Sequence, residues 1–296
     1  MADKNYKSLV LCLCVMMFLA SCRSTPQIPD SGFTDAEFLP LNPGASVYVI
    51  GDAKQARPIL DLLFKEELND KQARQMIDKT QTFAAALFEE KSGQLFHLAA
   101  WGNYPSSRAG LAFSFSRHWK KQRSAAGAYW YSAANRLSIS MSSRQTFAAA
   151  SVNDTPVPPL PQGQGVEIPE GFNEFSRGSP LSLWVTDPAV MFAGILSETG
   201  IPLRFPVQQL FVSLSEKTAE KYEAFIRLKF ENASQARGMA AVFNLAGAFA
   251  SGNSGSIIGN VFFANAPVQD GLFLNIKTAQ LSESDLSLLF GLFLVN

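Results

Sequence analysis

The chain has 296 residues, with 25 Lys and Arg against 25 Asp and Glu, so its formal net charge is zero. This balance provides no long-range attraction for nucleic acid or for anionic lipid, and no nucleic-acid partner is expected. Only 17% of the residues are charged while phenylalanine occurs 24 times. Because soluble domains are about 25% charged, the chain either buries more apolar surface than usual or meets an apolar partner.

The first 21 residues have the pattern of an export signal. Two lysines precede an uninterrupted apolar run from Leu9 to Ala20. Such a run suits a secretory signal and is too short to span a bilayer. It ends in Leu19-Ala20-Ser21-Cys22, which resembles the lipobox of bacterial lipoproteins. The resemblance implies that residues 1–21 are removed and that Cys22 carries diacylglycerol on its sulfur and an acyl chain on its amino group.

The positions of the cysteines agree with lipidation of Cys22. Cys12 and Cys14 lie within the export signal, so the mature chain would keep one thiol. A single thiol excludes a disulfide within the chain and a thiolate metal site. Two or more acyl chains hold a protein stably on a bilayer. The predicted partner is therefore membrane lipid, through covalent acyl chains. A plain export signal with a chance cysteine is the alternative.

Residues 22–44 are rich in proline and glycine, which predicts a tether between the lipid and a folded domain. Residues 45–153 predict a first α/β unit. A strand at 46–50 is followed by Asp52, which we expect to cap a helix through Phe64.

The remaining elements predicted for the first unit are a second helix and two hairpins. The helix is predicted from Asp70 to Lys79. The hairpins join 82–88 to 94–101 and 128–131 to 137–142, with a further helix between them. The strand at 137–142 alternates apolar residues with serine, so one of its faces is apolar and the other carries serine.

Residues 154–178 are rich in proline and glycine and predict a linker. Residues 179–296 then predict a second α/β unit. Its elements are a strand at 181–185, a helix beginning at 186–188, a hairpin of 209–214 with 222–230, a helix at 233–250, a hairpin of 259–263 with 272–277, and a closing helix at 282–295. The order strand-helix-hairpin-helix-hairpin thus occurs twice, which indicates an internal duplication.

The predicted fold class is α/β (α+β). We expect mainly antiparallel sheet, either one joined sheet or two packed sheets, covered by amphipathic helices in an α/β/α arrangement.

Two of the predicted helices are unusually apolar. No charged residue occurs from Gly238 to Gln269. Within this stretch apolar residues recur at spacings of three and four, and the closing helix is apolar nearly all round. No segment reaches an apolar length of about 20 residues, so no spanning helix is predicted. Apolar stripes most often pack as core, but a lipid anchor and the lack of charge favour insertion into a membrane surface. The candidate membrane-contact residues are Met239, Val242, Phe243, Phe249, Leu289, Phe290 and Phe293.

The lipobox, the low charge, the two α/β units and the Phe-rich helices together resemble a family of spirochaete (treponemal) outer-membrane lipoproteins. The resemblance implies an α/β/α fold whose amphipathic helices insert into membranes, open to expose an apolar cavity and raise permeability. Outside Leu19 to Cys22 it rests on no sharp motif. Cys22 is therefore the one functional residue that the resemblance assigns.

No enzyme active site is predicted. His97 on a predicted strand and His118 near a helix end are expected to be structural or surface residues. Asp52 and Asp187 are explained as helix caps. The glycine-rich segment at 252–256 lacks the lysine of a phosphate-binding loop. No cofactor or metal is expected.

The leading hypothesis is a lipid-anchored outer-membrane protein on the periplasmic face. Its amphipathic helices would bind or insert into the inner leaflet and permeabilise the membrane or carry lipid. The alternative is a periplasm-facing scaffold or protein-binding module with a sealed core and a protein partner that the sequence does not identify.

Overall fold

The computed structural model describes residues 41–65, 74, 77–90, 93–104, 113–114, 116–125, 127–141, 146–152, 156–159, 165–188, 206–250 and 265–294. They form two compact units, one ending at Gly178 and the other beginning at Ser179. The strand pairings described within each unit are antiparallel. The predicted α+β class with mainly antiparallel sheet is confirmed. The export signal, Cys22 and most of the predicted helix at 70–79 lie outside the described residues.

The sheet of the first unit has the strand order β1-β2-β3-β7-β6-β5-β4. Its strands are β1 Val47–Asp52, β2 Thr80–Glu90, β3 Gly93–Gly102, β4 Lys120–Ser124, β5 Gly127–Ser132, β6 Leu137–Ser140 and β7 Thr146–Ser151. The two predicted hairpins are β2–β3 and β5–β6. Strands β4 and β7 were not predicted. The first is charged and exposed, and the second is rich in alanine, so neither has the β-branched alternation by which strands are recognised.

An aromatic cluster forms the main core of the first unit. Phe113 lies 5.0 Å from Trp119 and 5.5 Å from Trp130, measured between ring centroids. Phe147 and Ile139 on the neighbouring strands are fully buried in the same cluster. Tilted and edge-to-face pairs of this kind add to the stabilisation that burial of the rings supplies.

The serine face of β6 is buried as well as its apolar face. Ser138 and Ser140 are both buried, although they alternate with apolar neighbours. Ser138 pairs with Tyr131 on β5, and Tyr131 belongs to a second buried cluster with Tyr129 and Val152. Both faces of this sheet are therefore covered, and alternation along β6 does not mark a solvent face.

Asp52 does not cap the first helix. Helix α1, Arg57–Leu63, begins after Ala56 and has proline in its first turn. The carboxylate of Asp52 instead accepts hydrogen bonds from the backbone N–H groups of Lys54 and Gln55, at 2.9 and 2.8 Å. Asp52 thus closes the turn between β1 and α1, because short acidic side chains satisfy turns as readily as helix ends.

The sheet of the second unit has the order β8-β9-β10-β12-β11. Its strands are β8 Leu181–Val185, β9 Val207–Thr218, β10 Lys221–Phe230, β11 Val268–Asp270 and β12 Phe273–Lys277. The predicted hairpin β9–β10 is confirmed. Strand β12 pairs with β10 and with β11, and its predicted partner segment 259–263 lies outside the described residues. The turn between β11 and β12 begins at Gly271, whose φ of +57° suits the tight connection.

Three further helices complete the described structure, namely α2 Phe172–Ser176, α3 Ala233–Ala250 and α4 Glu283–Leu294. Helix α2 lies in the predicted linker and buries Phe172 and Phe175. In the second unit, α3 packs on β10, β11 and β12, and α4 packs on β10.

His97 joins three segments of the first unit. Its side chain is 1% exposed on β3. Nδ1 accepts a hydrogen bond from the backbone N–H of Asn42 at 3.2 Å, and Nε2 bonds to the carbonyl oxygen of Pro159. The ring is therefore neutral with its proton on Nε2. It fixes the end of the predicted tether and part of the predicted linker against the sheet.

Tyr48 also binds the segment from Asn42 to Ala45. Its hydroxyl donates to the carbonyl oxygen of Asn42 and accepts from the N–H of Ala45, both at 3.1 Å. Leu41 and Ala45 are buried. Residues 41–44, which the sequence assigns to the tether, are thus packed on the first unit.

Acid should destabilise the first unit through His97. Burial lowers the pKa of His97 from its usual 6.5, so below that pH the unfolded chain binds a proton that the folded chain does not. The stability that His97 contributes is present above pH 6.5 and is lost as the pH falls through the lowered pKa. Urea unfolding at neutral pH and at mildly acidic pH should show this loss. The variant His97→Gln, which cannot titrate, should be less stable at neutral pH and should lose less stability on acidification.

The exposed His118 provides the control, since His118→Gln should retain the wild-type pH dependence. Equal pH dependence of His97→Gln and the wild type would contradict the assignment.

Candidate functional site

Helix α3 is the first part of the candidate site, because it carries most of the predicted membrane-contact residues. Its start is capped by Asn232, whose side-chain oxygen accepts the backbone N–H of Gln235 at 3.0 Å. Beyond the cap, Ala236, Met239 and Phe243 are buried. Their spacing of three and four places them on one face. That face covers the strands β10, β11 and β12.

The outer face of α3 has an uncommon composition. Ser234, Arg237, Gly238, Ala241 and Asn244 are exposed along it. Arg237 is the last charged residue of the helix. Between Gly238 and Asn244 the exposed residues are therefore small and uncharged, whereas the outer face of a surface helix is ordinarily charged or polar.

Helix α4 is the second part of the candidate site. Ser282 and Asp285 cap its start reciprocally. The Asp285 carboxylate accepts the N–H of Ser282 at 2.9 Å, and the Ser282 hydroxyl accepts the N–H of Asp285 at 3.3 Å. A bridge of backbone hydrogen bonds between Leu281 and Tyr222 fixes this helix start beside β10. Leu286 is fully buried one turn further on.

The structure places four of the seven candidate membrane-contact residues in the core of the second unit. Met239 and Phe243 on α3 are 7% and 5% exposed, and Leu289 and Phe290 on α4 are 1% and 5% exposed. Val242 is half-buried. The side chains of Phe249 and Phe293 lie outside the described set. In this conformation the apolar stripes contact protein, so contact with lipid requires α3 or α4 to move away from the sheet.

The opposite face of the sheet carries paired charges. Glu223 on β10 lies 3.1 Å from Lys217 and 3.1 Å from Lys277. Arg227 donates to the side-chain oxygen of Asn275 at 2.8 Å and lies 5.3 Å from the centre of the Phe273 ring. The alternation of charged residues along β10, visible in the sequence, thus marks the face away from α3 and α4.

The described residues offer little for catalysis. Among them, no group of three or more His, Cys, Asp or Glu side chains could hold a metal ion. His97 is engaged by two backbone partners, and His118 is exposed. Asp187 is exposed after β8, and the helix that it was predicted to cap lies outside the described residues, as does the 252–256 segment. Of the helices described, none has the length and hydropathy needed to cross a membrane.

Three solved structures share this fold. Crystal forms III, IV and I of TP0453, a Treponema protein, match with TM-scores of 0.55, 0.56 and 0.54, each at 16% sequence identity. Each match covers 83% of this chain and 93 to 94% of the TP0453 chain. No curated protein sequence matches this chain significantly. At this identity the structures establish a shared fold.

The family profile assigns this chain to a protein family, which the shared fold alone does not. The profile of the outer membrane-associated lipoprotein TP0453 matches residues 36–260, which include β1 through α3. The match spans both units. The spirochaete resemblance and the outer-membrane location expected from the sequence are thereby confirmed, and this chain belongs to the TP0453 family of outer membrane-associated lipoproteins.

Proposed function

We propose that this protein is a non-catalytic lipoprotein whose polypeptide engages the membrane through α3 and α4. In the soluble form, both helices cover the sheet of the second unit. At the periplasmic surface of the outer membrane they move outward, and their apolar faces enter the inner leaflet. The displaced helices would leave an apolar groove on the sheet, which could perturb the bilayer or receive an acyl chain.

The observation that carries this proposal is the uncharged outer face of α3. A helix that lies in a leaflet buries its apolar face in the hydrocarbon and brings its outer face to the headgroup boundary. Gly238, Ala241 and Asn244 expose no charge, so approach requires no desolvation of an ion. Met239 and Phe243 on the other face would exchange contacts with β10 and β12 for contacts with acyl chains. Because both environments are apolar, the difference in free energy between them is small compared with that of exposure to water.

Acylation of Cys22 would hold the protein at the bilayer, where α3 can exchange its contacts with the sheet for contacts with lipid. A tether at residues 22–40 would keep the protein close to the bilayer. The effective lipid concentration is then high, and even weak insertion is populated. Residues 1–21 are removed in this proposal as the export signal.

The burial of Phe243, Leu289 and Phe290 favours a second candidate function. If α3 and α4 stay on the sheet, the protein is an anchored scaffold or protein-binding module with a sealed core. Binding of a fluorescent apolar dye separates the two functions. Dye fluorescence that rises when vesicles and protein are mixed, and that exceeds the vesicle background, supports opening. A signal that never exceeds the background supports the sealed module.

We also propose that the two units arose by duplication. The strands β1-β2-β3-β7-β6 in the first unit and β8-β9-β10-β12-β11 in the second have the same pairing order. In each, a first strand pairs with a hairpin whose far strand pairs with the last strand of the unit. Strands β4 and β5 extend the first unit beyond this shared pattern, and α3 and α4 supply the apolar faces of the second.

Charges placed on the outer face of α3 should weaken membrane binding without unfolding the protein. We expect Ala241→Lys with Asn244→Lys to reduce flotation with neutral phosphatidylcholine vesicles by about tenfold or more, because a lysine costs up to about 3 kcal/mol in the bilayer centre. Both sites are exposed, so the free energy of unfolding should change by no more than about 0.5 kcal/mol each. The protein used is the chain from residue 22 onward with Cys22→Ala, which retains every described residue and lacks acyl chains.

The matched control for this test adds two lysines outside the helices, at the exposed positions Gln55 and Thr218. It should float like the parent chain. Equal flotation of the helix variant and the control would contradict insertion through α3. Substitutions such as Phe243→Glu do not serve this purpose, because a charge at this buried site is expected to unfold the second unit.

Cys22 should be the acylated residue. Expression in a lipoprotein-processing bacterium with labelled palmitate should label the wild type and leave Cys22→Ala unlabelled, since the variant lacks the only thiol of the mature chain. Mass spectrometry of the N-terminal peptide checks the position. A mature N-terminus that carries no fatty acid would contradict the proposed anchor.

A further inference from the structure

The zero net charge of the whole chain conceals a strong segregation of charge along it. From Lys91 to Asn153 the sequence contains eight lysines and arginines and no aspartate or glutamate. This segment includes the strands β3 to β7 of the first unit. A net charge near zero removes the long-range field but leaves local potentials wherever one sign is concentrated.

Five of these cations lie at or near β4, the last strand of the sheet of the first unit. Lys120, Lys121 and Arg123 are exposed along the strand, and Arg117 is exposed just before it. Arg136 is exposed in the turn between β5 and β6. Because Lys120 pairs with Tyr131, this turn lies at the same end of the sheet as the start of β4. We call these five residues the basic edge.

The five cations of the basic edge form no ion pair with a described carboxylate. The ion pairs among the described side chains lie elsewhere, at Arg57 and at Glu223. Glu89 is on β2, five strands across the sheet from β4. At about 4.8 Å a strand, this is about 24 Å, which is more than twice the screening length of about 8–10 Å at physiological salt.

Strand β4, which carries three of the five cations, is held by contacts with the aromatic core and with β5. The ammonium group of Lys121 lies 5.9 Å from the centre of the Trp130 ring, and Trp130 and Trp119 both belong to the aromatic core. The hydrogen bonds of β4 to β5 hold the strand, with Arg123 opposite Ala128. The cations therefore project from a fixed strand, which lowers the entropy lost when they bind a charged surface.

Protection of a sheet edge explains only part of this pattern. Lysines on an edge strand prevent pairing with another chain. That role accounts for Lys120 and Lys121, but not for Arg136, which lies in a turn between two inner strands. It also does not explain why the strands next to β4 lack acidic residues altogether.

We propose that the basic edge binds the headgroups of anionic phospholipids. This inference rests on the proposed membrane function but assigns a second contact to the first unit, with lipid selectivity that α3 and α4 do not provide. Exposed cations on both sides of the last strand, with Arg117 and Arg136 nearby, can contact several phosphodiester groups of a lipid surface at once. A membrane-tethered member of this lipoprotein family meets such an array at its own anchor.

The test measures cosedimentation of the Cys22→Ala chain with vesicles of phosphatidylcholine alone and of equal parts phosphatidylcholine and phosphatidylglycerol. Each lysine or arginine near an anionic leaflet strengthens binding by about fivefold. The parent chain should bind the anionic vesicles at least about tenfold more tightly than the neutral ones. The variant Lys120→Glu with Arg123→Glu should lose this difference and retain its binding to neutral vesicles. The difference should also shrink at high salt.

The matched control is Lys54→Glu with Lys221→Glu, which changes the net charge equally at exposed sites outside the basic edge. It should keep most of the preference for anionic vesicles, and all three proteins should have similar melting temperatures. Equal loss in the control and in the basic-edge variant would overturn the inference, as would equal binding of the parent chain to both vesicle types. Displacement from the vesicles by millimolar inorganic phosphate at constant ionic strength would also overturn it, because it would indicate a site for free phosphate. Binding to neutral vesicles tests the proposed function separately, so the two can fail independently.

Discussion

The function that we propose for this protein depends on the packing of α3 and α4 on the antiparallel sheet of the second unit. Each buried aromatic or aliphatic side chain at this interface contributes about 1.5–3 kcal/mol relative to exposure to water. Water must be excluded from Phe243 and Phe290, but the sheet is not the only apolar surface that can exclude it. The acyl chains of a leaflet would exclude water equally well. Because the outer face of α3 beyond Arg237 exposes no charge, the exchange would not require the desolvation of an ion.

In the two proposals above, each unit supplies a different surface for membrane contact. The second unit has the apolar helices, while on the far face of its sheet Glu223 pairs with two lysines. The first unit has an aromatic core covered on both sheet faces, and its cations are gathered at β4. Hydrophobic insertion and attraction to headgroups act over different distances, so a tethered protein with both can be held at the surface before its helices enter.

The first described residues of the chain are held by the first unit. His97 and Tyr48 form hydrogen bonds with the backbone of Asn42 and Ala45. A similar fold persists in TP0453 at 16% identity. Antiparallel pairing and apolar patterning can be kept by many sequences, whereas individual surface residues are free to change. The basic edge is therefore a property of this chain that the shared fold does not dictate.

The sequence by itself determined the export signal pattern, the α+β class and the hairpins β2–β3, β5–β6 and β9–β10, because alternation and turn residues are local properties. It did not reveal β4, since a charged edge strand has no apolar face, nor the buried serines of β6, since a second layer covers them. Only the tertiary structure decided that Phe243 and Phe290 face protein in this conformation, because an apolar helical stripe has the same spacing whether a sheet or a lipid covers it. It also decided that cations from a strand and a turn meet at one edge, because strand order brings together residues that no local pattern relates.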